Sequence, residues 1–110
     1  MRQAERGEVW LVDLGLIAKI RPCLVVSVPP DGPHDRVLAT VVAHTTSPRG
    51  SRFEVDLPVR FLKAGVFDAQ NVVTIPRAKL IRRLGALAAH DLALVDVALR
   101  TWLGLAAPDP

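Results

Sequence analysis

A chain of 110 residues, half of them hydrophobic and 23% charged, has the size and composition of one globular domain, which excludes a multidomain enzyme and a disordered chain. The single cysteine, Cys23, excludes a disulfide framework and a thiolate zinc site, and His34, His44 and His90 show no paired ligand spacing, so no metal or other cofactor is expected. The net charge of +3 is concentrated in residues 44–83, where Arg49, Arg52, Arg60, Lys63, Arg77, Lys79, Arg82 and Arg83 face only Glu54, Asp56 and Asp68. Most of the cations are arginines, whose planar fork suits phosphate and carboxylate, so the charge favours a polyanionic partner; a solvated Arg-rich surface is the alternative.

The opening MRQAERGEVW is charged where a signal peptide is apolar, and no apolar run approaches the roughly twenty residues of a membrane span. A cytoplasmic protein with no membrane partner is expected. After Gly7, EVWLVDL (8–14) alternates around Trp10, Val12 and Leu14 as a strand with one wet face. GLIAK is a short connection to Arg21-Pro22, and CLVVSV (23–28) reads as a strand buried on both faces. PPDGPHD (29–35) is an exposed loop, because its prolines remove donors and its glycine marks a turn.

VLATVVAHT (37–45) is a third strand, TSPRGS (46–51) a turn, and RFEVDLP (52–58) a fourth strand expected to hairpin with the third. FLKAG (61–65) reads as a helical turn ended by Gly65, and NVVTIP (71–76) as a fifth strand. KLIRRLG (79–85) mixes cations with apolar residues before a helix over 89–103, where Leu92, Val95, Leu99 and Trp102 share a face that Leu94, Val97 and Leu103 widen. An apolar girth that wide implies deep packing or a subunit interface. The residues together imply a five- or six-stranded, mostly antiparallel barrel with a C-terminal helix. Trp10, Phe53 and Trp102 read as core; Phe61 and Phe67 read as core or base-stacking residues, and Cys23 as a small buried hydrophobe.

RGEVWLVDL (6–14), RPCLVVS (21–27), TTSPRGSRFEV (45–55) and ALRTWLGL (98–105) together resemble the MazF/PemK toxins of bacterial type II toxin–antitoxin systems. The resemblance runs through nearly the whole chain in order. It implies an SH3-like antiparallel barrel with short helices and a C-terminal helix, one toxin domain over 1–105 with a tail at 106–110, and a homodimer. It also implies metal-independent, sequence-selective cleavage of single-stranded RNA, and silencing by an acidic cognate antitoxin.

The family's catalytic pair carries over to Arg21 and Thr45. When a ribose 2′-hydroxyl attacks the adjacent phosphorus, negative charge gathers on the phosphoryl oxygens, and a fixed guanidinium stabilises it. Arg21 is a poor general base but can hand a proton to the departing 5′-oxygen, while the Thr45 hydroxyl both donates and accepts. His44 has the ordinary pKa of a base, yet along a strand it projects opposite to Thr45; a buried or interface histidine is the other reading.

Lys19, Arg49 and Arg52 are the nearest phosphate-binding candidates, with surface charge the alternative for each. Thr46, Ser47, Gln70 and Asn71 are candidates for reading RNA. The sequence departs from the family in its short 15–20 connection, in Ser47 where a Gln often follows the Thr pair, and in Gln70-Asn71 where an acidic-Gln pair occurs. These changes imply an altered target sequence. A CcdB-like poison of DNA gyrase and a non-catalytic RNA- or antitoxin-binding module are the alternative functions; a gyrase poison requires neither the Arg21/Thr45 pair nor the basic 44–83 segment.

Overall fold

The computed structural model describes residues 3–105, so the tail at 106–110 lies outside the described residues. The elements in chain order are β1 (Glu8–Asp13), α1 (Gly15–Ala18), β2 (Ile20–Val25), β3 (Leu38–Thr45), β4 (Glu54–Val55), β5 (Val66–Pro76), a 3-10 turn (Arg77–Lys79), β6 (Leu80–Ala86) and α2 (Ala89–Leu103). They build a six-stranded sheet in the order β4-β5-β3-β2-β1-β6, every pairing antiparallel.

Alternation along the central strands gives the sheet two apolar faces. Val9, Leu24 and Val42 enter one core with Phe53, Phe67 and the α2 residues Val95, Ala98 and Leu99. Val12, Cys23, Val25, Val41 and Ala43 enter a second core with Ala4, packed by Trp10, Leu14, Val73 and Ile75. The run at 23–28 is apolar because its strand part, Cys23, Leu24 and Val25, is covered on both faces. Helix α2 has the predicted bounds and ends on Gly104 in the left-handed region, whose N–H caps the carbonyls of Arg100 and Thr101. Only part of its apolar girth is buried: Leu94, Val97 and Leu103 are exposed, and Trp102 is half out, edge-on to Phe53.

Several local expectations are corrected. β4 does not hairpin with β3; it pairs with β5 through Glu54↔Asp68 and Val55↔Phe67, because both edges of β3 are taken by β2 and β5. The fifth strand begins at Val66 rather than 71, and its register against β3 slips between Val42↔Val72 and His44↔Phe67. That bulged stretch is where β5 turns to serve β4, with Ala69 N–H donating to the Phe53 carbonyl. FLKAG forms bends rather than a helical turn. Gly65 is required there by proximity, since a Cβ would lie 2.2 Å from the Thr45 carbonyl oxygen. The second strand begins at Ile20, so Arg21 belongs to the sheet, and KLIRRLG supplies β6.

The RGE-aromatic motif has a structural role. Buried Glu8 accepts from Trp10 Nε1 at 3.1 Å, from the Glu5 N–H at 2.9 Å and from Arg83 Nε at 2.8 Å, tying β1 to β6. Arg6 bonds the Val26 carbonyl and the Asp96 carboxylate, which fastens α2 to the sheet. No described helix is long and apolar enough to cross a membrane.

Candidate active site

Arg21 and Thr45 are far apart in sequence, and the sheet brings them together. The β2–β3 ladder runs to Cys23↔Ala43, and Arg21 and Thr45 each lie two residues beyond it on their strands, where both line the same cavities. Arg21 Nε donates to the Ala18 carbonyl of α1 at 3.1 Å, which orients the guanidinium and leaves its two terminal nitrogens without an ion pair among the described residues. The Ser47 N–H donates to Thr45 Oγ1 at 3.0 Å, so the hydroxyl already accepts one bond and has its proton to give.

Arg21, Thr45 and Ser47 line two cavities at once. The larger, of about 560 Å³, also has Thr46, Leu11, Pro22, His44, Phe61, Leu62, Lys63, Arg82 and Leu84 on its walls. The smaller, of about 420 Å³, is completed by Ile17, Ala18, Arg49, Glu54, Asp68 and Asn71. The three residues shared by both form the waist of a groove whose two sides differ in charge. The larger side holds Lys63 and Arg82 and no carboxylate, whereas the smaller holds Glu54 and Asp68 beside Arg49.

Glu54 is committed to structure. Its carboxylate accepts the N–H groups of Arg49 at 2.9 Å, Gly50 at 2.8 Å and Ser51 at 3.1 Å, which hold it below the usual carboxylate range and fix the turn that carries Arg49 to the groove. His44 is only 4% exposed, with its ring edge-on to Phe67 at 5.0 Å. Burial lowers its pKa, so the neutral imidazole is favoured. Strand alternation leads to the expectation that His44 projects opposite to Thr45, yet both line the larger cavity. Cys23, buried beneath the site, has its thiol pushed up to about 12 by desolvation, against a smaller opposing effect of Arg21.

Of the candidates read from the sequence, Arg21, Thr45, Thr46, Ser47, Arg49 and Asn71 meet at this groove. Three lie elsewhere. Lys19 lines a separate surface hollow with Asp13 and Lys79, the Arg52 guanidinium sits 4.5 Å from the Phe53 ring centroid, and Gln70 is exposed outside both cavities. Sequence reasoning missed Arg82 and Lys63; of the two rings read as core or base-stacking, Phe61 lines the groove and Phe67 is buried in the core. Plain alternation along 80–84 does not reveal Arg82, because a register shift between Leu11 and Val12 sends Leu80 to the second core while Leu84 packs on the first. Once 80–86 is a strand, the pairings Leu11↔Arg82 and Leu11↔Pro22 put Arg82 on the face of the sheet that reaches the site.

Residues 5–103 match the family described as the PemK-like, MazF-like toxins of type II toxin–antitoxin systems. Solved structures agree. An endoribonuclease from a mycobacterial species is 28% identical, with 98% of each chain covered and a TM-score of 0.79. A mycobacterial endoribonuclease in complex with its cognate antitoxin is 28% identical over 96% of this chain and 100% of that one, at a TM-score of 0.80. The Mycobacterium tuberculosis toxin MazF-mt6 is 28% identical over 91% and 99% of the two chains, at 0.77. The match spans the sheet, the groove and α2 alike, and the chain belongs to the PemK-like, MazF-like family of type II toxins.

Proposed function

We propose that this toxin is an endoribonuclease that cuts single-stranded RNA, mRNA above all, in the cytoplasm by attack of a ribose 2′-hydroxyl, with Arg21 and Thr45 at the scissile phosphate. The observation that carries this reading is the waist of the groove, where an oriented guanidinium and an oriented hydroxyl face space open on both sides. RNA lies along such a groove, one flank against Lys63 and Arg82 and the other against Asn71 and Arg49. Asn71 and Ser47 offer groups able to read base edges.

In the reaction the 2′-oxygen bonds to phosphorus as the bond from phosphorus to the 5′-oxygen breaks. The 2′-hydroxyl loses a proton and the 5′-oxygen gains one, leaving a 2′,3′-cyclic phosphate and a 5′-hydroxyl. The terminal nitrogens of Arg21 and the Thr45 O–H donate to the phosphoryl oxygens, where charge grows on the way to the transition state. Arg21 serves by charge and direction, its planar fork offering two parallel donors to the phosphoryl oxygens. His44, held neutral in the same cavity, has the protonation state a base requires. The cations of the groove supply the positive charge that a divalent ion supplies in other nucleases, so cleavage is metal-independent.

The same cations attract carboxylates, so the partner that silences the toxin is an acidic antitoxin segment lying across the groove. The mycobacterial endoribonuclease held by its cognate antitoxin supports this. The test is incubation with a mixed single-stranded RNA in EDTA. Fragments ending in a 2′,3′-cyclic phosphate and beginning with a 5′-hydroxyl are expected; 5′-phosphate ends, or activity abolished by EDTA, overturn the proposal.

A further inference from the structure

The larger side of the groove contains one phenyl ring, Phe61, and its position is set by a residue remote in sequence. A Cβ at Gly85 of β6 would lie 2.5 Å from Phe61 Cε1 and 2.7 Å from two further ring atoms. Gly85 has an ordinary backbone conformation, being absent from the positive-φ glycines, so its missing side chain answers to the ring and not to a turn. Phe61 is seated against bare strand backbone while remaining 37% exposed at the cavity. An aromatic held in place by a glycine, yet open to a cavity, is a surface built for contact.

The charges around it are of one sign. Arg21, Lys63 and Arg82 line this cavity, and no Asp or Glu does, in contrast to the neighbouring one with Glu54 and Asp68. Arg83, one position along β6, pairs with Glu8, but Arg82 makes no ion pair among the described residues. A volume of about 560 Å³ is in the range that accepts a nucleotide-sized ligand. A flat apolar face beside two cations is what a base and its phosphate require together, and every base has a face to stack.

Resting on the ribonuclease reading, we propose that Phe61, seated on Gly85, is the stacking platform of a second nucleotide subsite, with Arg82 and Lys63 holding the phosphate of that nucleotide. The subsite flanks the scissile phosphate on the β6 side of Arg21. It gives length dependence and grip without strong base identity, because stacking is tolerant of sequence. Reading of base identity falls to the amide-bearing side of the groove.

The experiment measures binding of a fluorescent single-stranded RNA of mixed sequence, with every cleavable 2′-hydroxyl replaced by 2′-deoxy, to the full chain and its Phe61 and Arg82 variants. Phe61→Ala weakens binding about tenfold or more, the scale of one lost stacked base. Phe61→Leu falls with it, while Phe61→Trp stays within about threefold of wild type. Arg82→Gln flattens the slope of log affinity against log salt by about 0.7, one phosphate contact on a single strand. Photocrosslinking of the same RNA, read by mass spectrometry, marks the peptide containing Phe61. Binding retained by Phe61→Leu assigns the ring to packing and overturns the proposal, as does crosslinking confined to other peptides. Cleavage of natural RNA by the wild-type chain is scored separately: cleavage together with binding indifferent to Phe61 overturns the subsite alone, and neither cleavage nor binding overturns both.

Discussion

The Ser47 backbone N–H donates to the Thr45 hydroxyl at 3.0 Å, and this bond decides which way the hydroxyl faces. With one lone pair engaged, the hydroxyl has its proton to give, and in the proposed mechanism it donates that proton's hydrogen bond to phosphate. Thr45→Val keeps the shape and removes the donor, and is expected to lower kcat by tens to about a hundredfold with KM little changed, the scale of one oriented donor. Thr45→Ser retains most activity. The check is steady-state cleavage of a defined RNA; equal loss in Ser and Val variants removes the hydroxyl from the mechanism.

Arg21 is held at Nε by the Ala18 carbonyl, and in the proposed mechanism the rest of its fork serves the substrate. Arg21→Ala is expected to lose at least about a hundredfold in rate. Arg21→Lys recovers little of it, because an ammonium has no Nε to take the Ala18 bond and no planar fork. Circular dichroism should show both variants folded. Wild-type rates with Lys would reduce the role of Arg21 to bare charge.

Gly65 meets the Thr45 carbonyl too closely for any side chain. Gly65→Ala is expected to cost about 1–3 kcal/mol of stability as β3 and the 56–65 loop are forced apart, and to lower cleavage as Thr45 moves. Urea unfolding and a rate assay on the folded fraction read the two effects. A stable and fully active Gly65→Ala protein would show that the loop is free to shift.

Burial places the folded-state pKa of His44 below its ordinary value, near 6.5 in the unfolded chain. Between the two values the unfolded chain binds more protons, so stability rises with pH there. The His44 contribution is fully present above about pH 6.5 and is lost progressively as pH falls towards the lower folded value. Unfolding midpoints measured across that window should fall on acidification for the wild type and stay flatter for His44→Asn. Parallel curves for the two proteins would place the proton uptake elsewhere.

Leu94 and Val97 of α2 remain 51% and 56% exposed although the helix is otherwise docked, and Leu103 lies beyond them. We propose that a second copy of the chain completes the cover, in line with the homodimer implied by the sequence resemblance. Sedimentation at micromolar concentration is expected to show a dimer, and a Leu94→Asp, Val97→Asp pair of changes to yield monomers. A monomeric wild type would count against it.

Local pattern was enough for some of this molecule. The 3.6-residue spacing of Leu92, Val95, Leu99 and Trp102 defined α2 with its observed bounds, and the unbroken apolar run after Pro22 marked a strand covered on both faces. The Arg21/Thr45 pair was legible only through motifs, since nothing in its spacing foretells that the sheet brings the two to one groove. Strand partners were not legible. β5 alternates no differently for pairing with β4 than with β3, so the hairpin expected at 46–51 gave way to a bulged β5 that serves both.

Charge was the least legible quantity. Arg77, Arg82 and Arg83 look equivalent in the chain, but Arg77 bonds the Leu38 and Ala4 carbonyls, Arg83 pairs with Glu8, and Arg82 reaches the groove. Composition determined that the middle of this protein would be basic, and periodicity determined which segments would be strand or helix, because both depend on neighbours in sequence. Which cations line the groove, and which ring opens on it, was decided by tertiary structure. The partner that engages an arginine, or the glycine that seats a phenylalanine, lies tens of residues away and comes within reach only after the sheet has closed its register.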